Sequence, residues 1–356
     1  MAEASVPGIL SRGRAVKRIG GLFDGACSFV SLLAAAERAA RGTTKTAEVA
    51  GFLLDLEPEI LRLERELLDG TYNPRPYQTF TVRDPKPRQI TVAPFRDRVV
   101  HHALCGAIEP ILERHYIAHS YACRKGKGTL RAVRQAQRLT RRHAYFLKLD
   151  VRSYFHSIDH GVLCGLLRRK FKDPSLLSAL ERIIRHAVPG CRSSKGLPIG
   201  NLTSQHLANF YLSPFDHFVV QDLRPGGYLR YMDDAILFAD EKARLWECHT
   251  RCSDFLGRML RLELRPAATH LAPVRQGLPF LGRQIFPGLI RMRRENLRRS
   301  LRRLRRRARR KQAGRLDPCS WERSLESVFA HLSQADTHGD TLGLRRRLVK
   351  ALEVDV

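Results

Sequence analysis

Three aspartates in this chain sit where carboxylates can do metal chemistry: Asp150, Asp233 and Asp234. Asp150 closes a strand-like run, Tyr145-Phe146-Leu147-Lys148-Leu149. Asp233 and Asp234 belong to Tyr231-Met232-Asp233-Asp234, between Gly227-Tyr228-Leu229-Arg230 and Ala235-Ile236-Leu237-Phe238-Ala239. Two β-prone apolar runs joined by a polar dipeptide read as a hairpin, so both acids fall at a tight turn. An acidic turn alone is ordinary solvated turn chemistry. A third acid ending another strand changes the reading, because carboxylates at adjacent strand ends hold two divalent ions for phosphoryl or nucleotidyl transfer.

Other elements have to position these acids. Helical patterning begins near Phe29 and runs through Ala40; a second stretch covers Thr46 to Leu68, with Pro58 expected to kink or split it. Extended runs from Tyr77 to Val82 and Gln89 to Val92 flank Arg83-Asp84-Pro85-Lys86-Pro87-Arg88, a hairpin with a basic tip. That tip is either a charged turn or a clamp for triphosphate oxygens, with Lys86 a point charge and Arg88 a fork. A helix from Arg96 to about His115 follows. The glycine-spaced basic loop from Tyr121 to Thr129 lacks P-loop order; it is either a connector or a backbone approach to phosphate.

Beyond Asp150, Tyr154 reads as core, and Phe155 as core or as the wall of a sugar pocket that excludes a 2′-OH. Asp159 and His160 read as the cap of a helix. Helices are expected from His160 to Phe171 and Pro174 to His186. Gly196-Leu197-Pro198-Ile199-Gly200-Asn201-Leu202-Thr203-Ser204-Gln205 is a turn entering a helix that runs towards Val219. The open N–H groups of that helix suit a nucleotide or template strand. A helix from Lys242 to Leu260 and a β-like run from Gly277 to Phe286 lead to an arginine-dominated helix from Arg291 to Arg315. Leu297, Leu301 and Leu304 give it a narrow apolar stripe, and its arginines, Arg305, Arg306, Arg309 and Arg310 among them, are expected to track a phosphate backbone. Further helical patterns lie at Trp321 to Leu332 and Leu342 to Leu352.

Across 356 residues, 63 Lys plus Arg against 35 Asp plus Glu leave a formal charge of +28. Such an excess points to a nucleic-acid partner. No apolar run reaches the roughly 18 residues of a membrane span, and the N-terminus does not read as a signal peptide. Cys248 and Cys252 flank His249, but no second pair completes a zinc site, so idle thiols in a reducing cytoplasm are expected.

The order of these motifs resembles a reverse transcriptase from about residue 20 onward. Asp150 matches the first palm motif, Tyr231-Met232-Asp233-Asp234 the Tyr-x-Asp-Asp motif, and Phe280-Leu281-Gly282 the primer grip. Lys86 and Arg88 match the hairpin that holds the incoming triphosphate. Most retroviral, retron and group II intron enzymes close the motif at Ser204 with Ser-Pro. Ser204-Gln205, like Phe95-Arg96-Asp97-Arg98-Val99-Val100-His101-His102-Ala103-Leu104, is similar to diversity-generating retroelement enzymes instead.

The resemblance implies an α+β right-hand polymerase. Its parts would be a loosely ordered basic N-terminal extension (1–28), helical fingers with part of the palm (29–143), a palm β-sheet (144–288) and a helical basic thumb (289–356). Implied with it are RNA-directed DNA synthesis and two Mg²⁺ ions (or Mn²⁺) held by Asp150, Asp233, the Val151 backbone carbonyl and, more weakly, Asp234. Phe155, Ile199, Gly200 and Gln205 would join Lys86 and Arg88 around the dNTP. The implied partners are template RNA, a DNA or RNA primer, their heteroduplex, and a small basic oligomeric accessory protein. The implied product is error-prone cDNA of a template repeat. Two departures stand out. Arg265-Pro266-Ala267-Ala268-Thr269-His270 replaces the usual x-Pro-x-Lys-Thr, leaving Arg265 and His270 as candidates for the general acid. No endonuclease or RNase H segment follows the basic helix, which points away from a complete group II intron protein or a retroviral enzyme. A defence-type or otherwise domesticated polymerase, and a non-catalytic RNA-binding protein on the same scaffold, are the alternatives.

Overall fold

The computed structural model describes residues 18–42, 46–83, 87–186, 188, 190–191 and 194–333; Lys86 and the helical pattern at 342–352 lie outside them. The helices α1 (Phe23–Cys27), α2 (Phe29–Ala40), α3 (Ala47–Leu54) and α4 (Leu56–Leu68) come first. The expected loose extension is thus packed from residue 19 onward. Ile19 bridges Phe171, and Phe23, Ala26 and Cys27 are buried, a stripe too short to show as periodicity. The second helical stretch splits at Asp55 rather than at Pro58. Pro58 falls in the first turn of α4, where its missing N–H has no partner to lose.

The hairpin β1 (Gln78–Arg83) and β2 (Pro87–Val92) leads into α5 (Phe95–His115), and α6 (Thr129–Thr140) precedes β3 (Tyr145–Leu149). Then come α7 (Tyr154–Ser157), α8 (His160–Lys170), α9 (Pro174–Arg185), α10 (Leu202–Tyr211) and α11 (Ser213–Phe218). The helix expected to run to Val219 is therefore interrupted at Leu212, ahead of Ser213-Pro214, because proline cannot continue the hydrogen-bond ladder. The strands β4 (Gly227–Tyr231), β5 (Asp234–Ala239) and, after helix α12 (Lys242–Leu260), β6 (His270–Pro273) complete the central sheet. The β-like run at 277–286 is itself a hairpin, β7 (Leu278–Phe280) and β8 (Arg283–Ile285), extended by β9 (Ile290–Met292). Finally α13 (Arg294–Gln312) packs on α14 (Pro318–Ser333) through Leu304 and Trp321.

The central sheet is antiparallel in the order β4-β5-β3-β6. Both its faces are covered. Leu147, Leu149, Tyr228, Ala235 and Leu237 join the large core of helices, while Phe146, Leu229, Ile236 and Phe238 join α6 and the β7–β9 sheet. Burial on both faces explains why these strands read as continuous apolar runs rather than alternating ones. Cys248 and Cys252 are buried free thiols on α12, and burial pushes both thiol pKa values up. Among the described residues no helix is long and apolar enough to cross a membrane.

Candidate active site

The strand register brings the three acids together. Leu149 pairs with Ala235 and Tyr231 with Asp234, so continuing by one residue sets Asp150 across from Asp234 on the same face. Asp233 stands at the tip, in the two-residue turn Met232-Asp233. Met232 has φ +55°, a left-handed conformation that costs a bulky residue about 1–3 kcal/mol. Such strain survives only where the surroundings fix the chain.

Two cations answer two of the carboxylates. Lys148 Nζ lies 3.0 Å from Asp234 Oδ1, and an Arg265 guanidinium nitrogen 3.2 Å from Asp150 Oδ2. Asp233 is left to its environment. Burial pushes its pKa up from 3.8 to about 6, and the neighbouring charges of Asp234 and Asp150 add to the rise. Of the two general-acid candidates, Arg265 is therefore the one at the acids. His270 pairs with Lys148 in the sheet and sets its ring edge-on against Phe146. Residues 263–265 are tied to 150–152 by Arg265 N–H to the Asp150 carbonyl (2.8 Å) and Arg152 N–H to the Glu263 carbonyl (2.8 Å). The Val151 carbonyl takes no part in those two bonds.

Other motif residues gather through backbone bonds. Leu197 N–H donates to the Phe155 carbonyl (2.8 Å), holding half-buried Phe155 against the turn at 196–200. Thr91 N–H donates to the Ile199 carbonyl (2.8 Å), and Ala93 N–H to Asn201 Oδ1 (3.0 Å), so the β1–β2 hairpin is stapled to the same turn. Gly200 sits at φ +130°, and a Cβ there would meet the Thr91 carbonyl oxygen at 3.0 Å. Only glycine allows that approach. Gln205 is exposed on α10, with Oε1 3.6 Å from Cys123 Sγ. Arg88 is exposed on β2, across from Val82; Lys86 lies outside the described residues. Tyr154 is core as expected, 2% exposed, and its hydroxyl donates to the Ala208 carbonyl. Leu281 (φ +45°) and Gly282 (φ +79°) form the two-residue turn between β7 and β8, and Phe280 beneath it meets the Tyr231 ring edge-on at 6.5 Å. The expected primer-grip residues are therefore neighbours of the acid-bearing hairpin.

The profile of one protein family, described as reverse transcriptase (RNA-dependent DNA polymerase), matches residues 82–285, from the hairpin through β8. The chain belongs to the reverse transcriptase family. Protein YkfC of Escherichia coli (strain K12) is 27% identical over 287 residues, 68% of this chain and 74% of that one. Group II intron-encoded protein LtrA of Lactococcus lactis subsp. cremoris is 27% identical over 191 residues, 50% of this chain and 32% of LtrA. A putative COX1/OXI3 intron 1 protein of Saccharomyces cerevisiae is 22% identical over 165 residues, 44% of this chain and 20% of the other. The chain thus spans about a third of LtrA and about a fifth of the yeast protein. Members of this family are RNA-directed DNA polymerases, which act on RNA templates and primers.

One feature of this reverse transcriptase escaped the sequence reading. Arg230, grouped with an apolar flank by its neighbours, is in fact a fully buried cation beneath the turn. Its guanidinium forks onto Asp216 (2.6 Å to each oxygen) and also donates to the Met232 carbonyl at 2.7 Å. The signal was present: one charged residue inside an otherwise apolar, doubly covered strand. In α13, Arg305, Arg306, Arg309 and Arg310 are exposed and take no part in the Leu304–Trp321 contact.

Proposed function

We propose that this enzyme makes cDNA from a template-repeat RNA by two-metal nucleotidyl transfer, with errors concentrated at template adenines, as diversity-generating retroelement enzymes do. The observation that carries the catalytic part is the cross-strand placement of Asp150 and Asp234 with Asp233 at the turn tip. Fingers over 29–143, palm over 144–288 and thumb over 289–356 are the matching subdomain assignment. All-oxygen donors suit Mg²⁺ or Mn²⁺. Among the described residues no three such side chains converge tightly enough to hold an ion unaided. Mg²⁺ is commonly bound by one or two carboxylates plus substrate phosphates, a mode open to Asp150 and Asp233. Asp150, Asp233 and the Val151 carbonyl would hold it, with Asp234 as a weaker ligand, and the metal would supply charge neutralisation and activation of the primer hydroxyl.

The chain's own residues do the positioning. Lys148 and Arg265 hold two carboxylates in place without substrate. Arg265, with no lysine in the following segment, is the cation placed to meet the leaving pyrophosphate. Arg88 and Lys86 on the hairpin would hold the triphosphate, and the exposed α13 arginines the heteroduplex backbone. Phe155 is the proposed sugar wall. Phe155→Val should admit ribonucleotides that the parent rejects, raising their incorporation relative to deoxynucleotides at least tenfold. An unchanged ratio in competitive single-turnover extension would make the ring core packing.

Ser204-Gln205 and the apolar Ile199 support the diversification reading. Ile199 offers no side-chain donor or acceptor beside the nucleotide, so it gives little polar means of rejecting a misaligned pair. Sequencing of cDNA made from a defined RNA tests the reading directly. The parent should misincorporate opposite adenine more than opposite other bases, and Ile199→Gln should lower the adenine errors selectively, about tenfold, the scale of one hydrogen bond. Errors spread evenly over all four bases would remove the diversification role and leave a domesticated polymerase of the intron-related kind. A basic oligomeric accessory protein and a cytoplasmic setting belong to the same proposal.

A further inference from the structure

A second concentration of positive charge lies on the α8–α9 face. A cavity of about 780 Å³ is lined by Arg18, Arg168, Arg169, Lys172, Arg182 and Arg185, with Glu181 the sole acid among its lining residues. None of these residues frames the three aspartates. Cations at the last turns of α8 and α9 would by themselves be ordinary complements to the helix dipoles. Arg18 and Lys172 do not fit that account. They come from outside either helix and are fastened in place. Ile19 N–H donates to the Lys170 carbonyl (3.0 Å), Lys172 N–H to the Ile19 carbonyl (2.8 Å), and Arg18 Nε to the Phe171 carbonyl (3.2 Å). A Cβ on Gly20 would meet Lys172 Cγ at 2.7 Å, so the segment lies flat against that side chain.

Neutralisation within the groove is minimal. Glu181 is shared by Arg168 (2.8 Å) and Arg185 (2.7 Å). The nearby acid Asp173 is engaged elsewhere, accepting from the backbone N–H groups of Leu22 (3.0 Å) and Phe23 (3.1 Å) and capping α9. Arg169 and Lys172 form no ion pair among the described residues. Holding so many like charges together is unfavourable unless an anion shares the site.

We infer that this groove grips the phosphate backbone of a folded RNA segment outside the stretch being copied. Guanidinium forks suit phosphate oxygens, and the enzyme already works on RNA, the one premise borrowed from its family. The inference does not depend on the diversification reading. The test compares the parent with a variant carrying Arg168→Gln, Arg169→Gln, Lys172→Gln and Arg185→Gln. Binding of a long structured RNA should weaken at least tenfold, and its log–log salt slope should fall by roughly 3, at about 0.7–0.9 for each phosphate no longer neutralised. Extension of a short template–primer duplex should stay at the parent rate. If the four changes impair folding, Arg169→Glu with Lys172→Glu gives the same reading without touching the Glu181 pairs. An unchanged slope would overturn the inference. So would an equal loss of extension on the short duplex, which would place the groove in the main cleft. Unchanged RNA binding with lost binding of polyglutamate would assign the groove to an acidic protein and overturn it as well.

Discussion

Asp233→Asn is expected to abolish primer extension on an RNA template and, in the absence of metal, to make the protein more stable. Both effects have one origin. Asp233 stands at the tip of the turn where burial, with the charges of Asp234 and Asp150, lifts its pKa to about 6. A carboxylate raised above its unfolded value of 3.8 destabilises the folded state when ionised. The cost is fully present above about pH 6 and disappears as the pH falls from 6 towards 3.8. Two pKa units correspond to about 3 kcal/mol, which solvent at this partly exposed site reduces to on the order of 1–2 kcal/mol. Metal-free Asp233→Asn should therefore gain that amount over the parent at pH 7.5 in urea unfolding, and most of the gain should vanish near pH 4.5. Extension should fall at least about 10³-fold, since losing a metal-ligating charge costs several kcal/mol. Retention of more than a tenth of parental extension would show that Asp233 is not a metal ligand. A stability gain independent of pH would mean that its charge is not what strains the turn.

The acids and their hairpin were legible because tight turns announce themselves locally. Tyr231 and Ala235 sit on regular strands, and the two-residue connection between those strands leaves little freedom in where the carboxylates fall. Long helices such as α5 and α12 were legible for the same reason, through periodicity over many residues. What escaped depends on residues far apart in the chain. One miss alone was local: the break falls at Asp55, not at Pro58, because a proline in a first turn breaks nothing. The packing of Phe23, Ala26 and Cys27 on the body of the protein is a long-range event with only one helical turn to signal it. The docking of Thr91 on Ile199 spans more than 100 residues through main-chain atoms, which carry no side-chain pattern at all. Arg265 sits at Asp150 only because residues 263–265 add a short bridge to the strand end.

The buried pair Arg230–Asp216 carries the other large expected effect. Both side chains are fully inaccessible. Asp216 accepts from two guanidinium nitrogens at 2.6 Å and from the Tyr228 hydroxyl at 2.7 Å. Arg230 also reaches Asn209 Oδ1 (3.0 Å), Ser120 Oγ (3.3 Å) and the Met232 carbonyl (2.7 Å). Burial alone would lower the Arg230 pKa, but the Asp216 carboxylate outweighs it and holds the guanidinium charged. Asp216→Ala should therefore destabilise the protein by about 3–5 kcal/mol, because it leaves a buried cation without its counter-ion. That loss alone does not separate scaffold from function. Replacing the group as a unit does: Asp216→Leu, Arg230→Met and Tyr228→Phe together remove both charges and the hydroxyl. A well-packed apolar substitute for a buried ion pair is often neutral or stabilising, so the triple variant should recover much of the stability, less the cost of leaving Asn209 Oδ1 and Ser120 Oγ without the Arg230 donor. It cannot restore the donor to the Met232 carbonyl. Met232 would then be free to leave its left-handed conformation, and relief of about 1–3 kcal/mol of strain favours that change. Extension should consequently stay at least tenfold below the parent even though the protein is stably folded, with the loss in the rate of extension rather than in affinity for RNA. Parental extension by a stable triple variant would show that the turn keeps its shape without Arg230, and would reduce the pair to a part of the core.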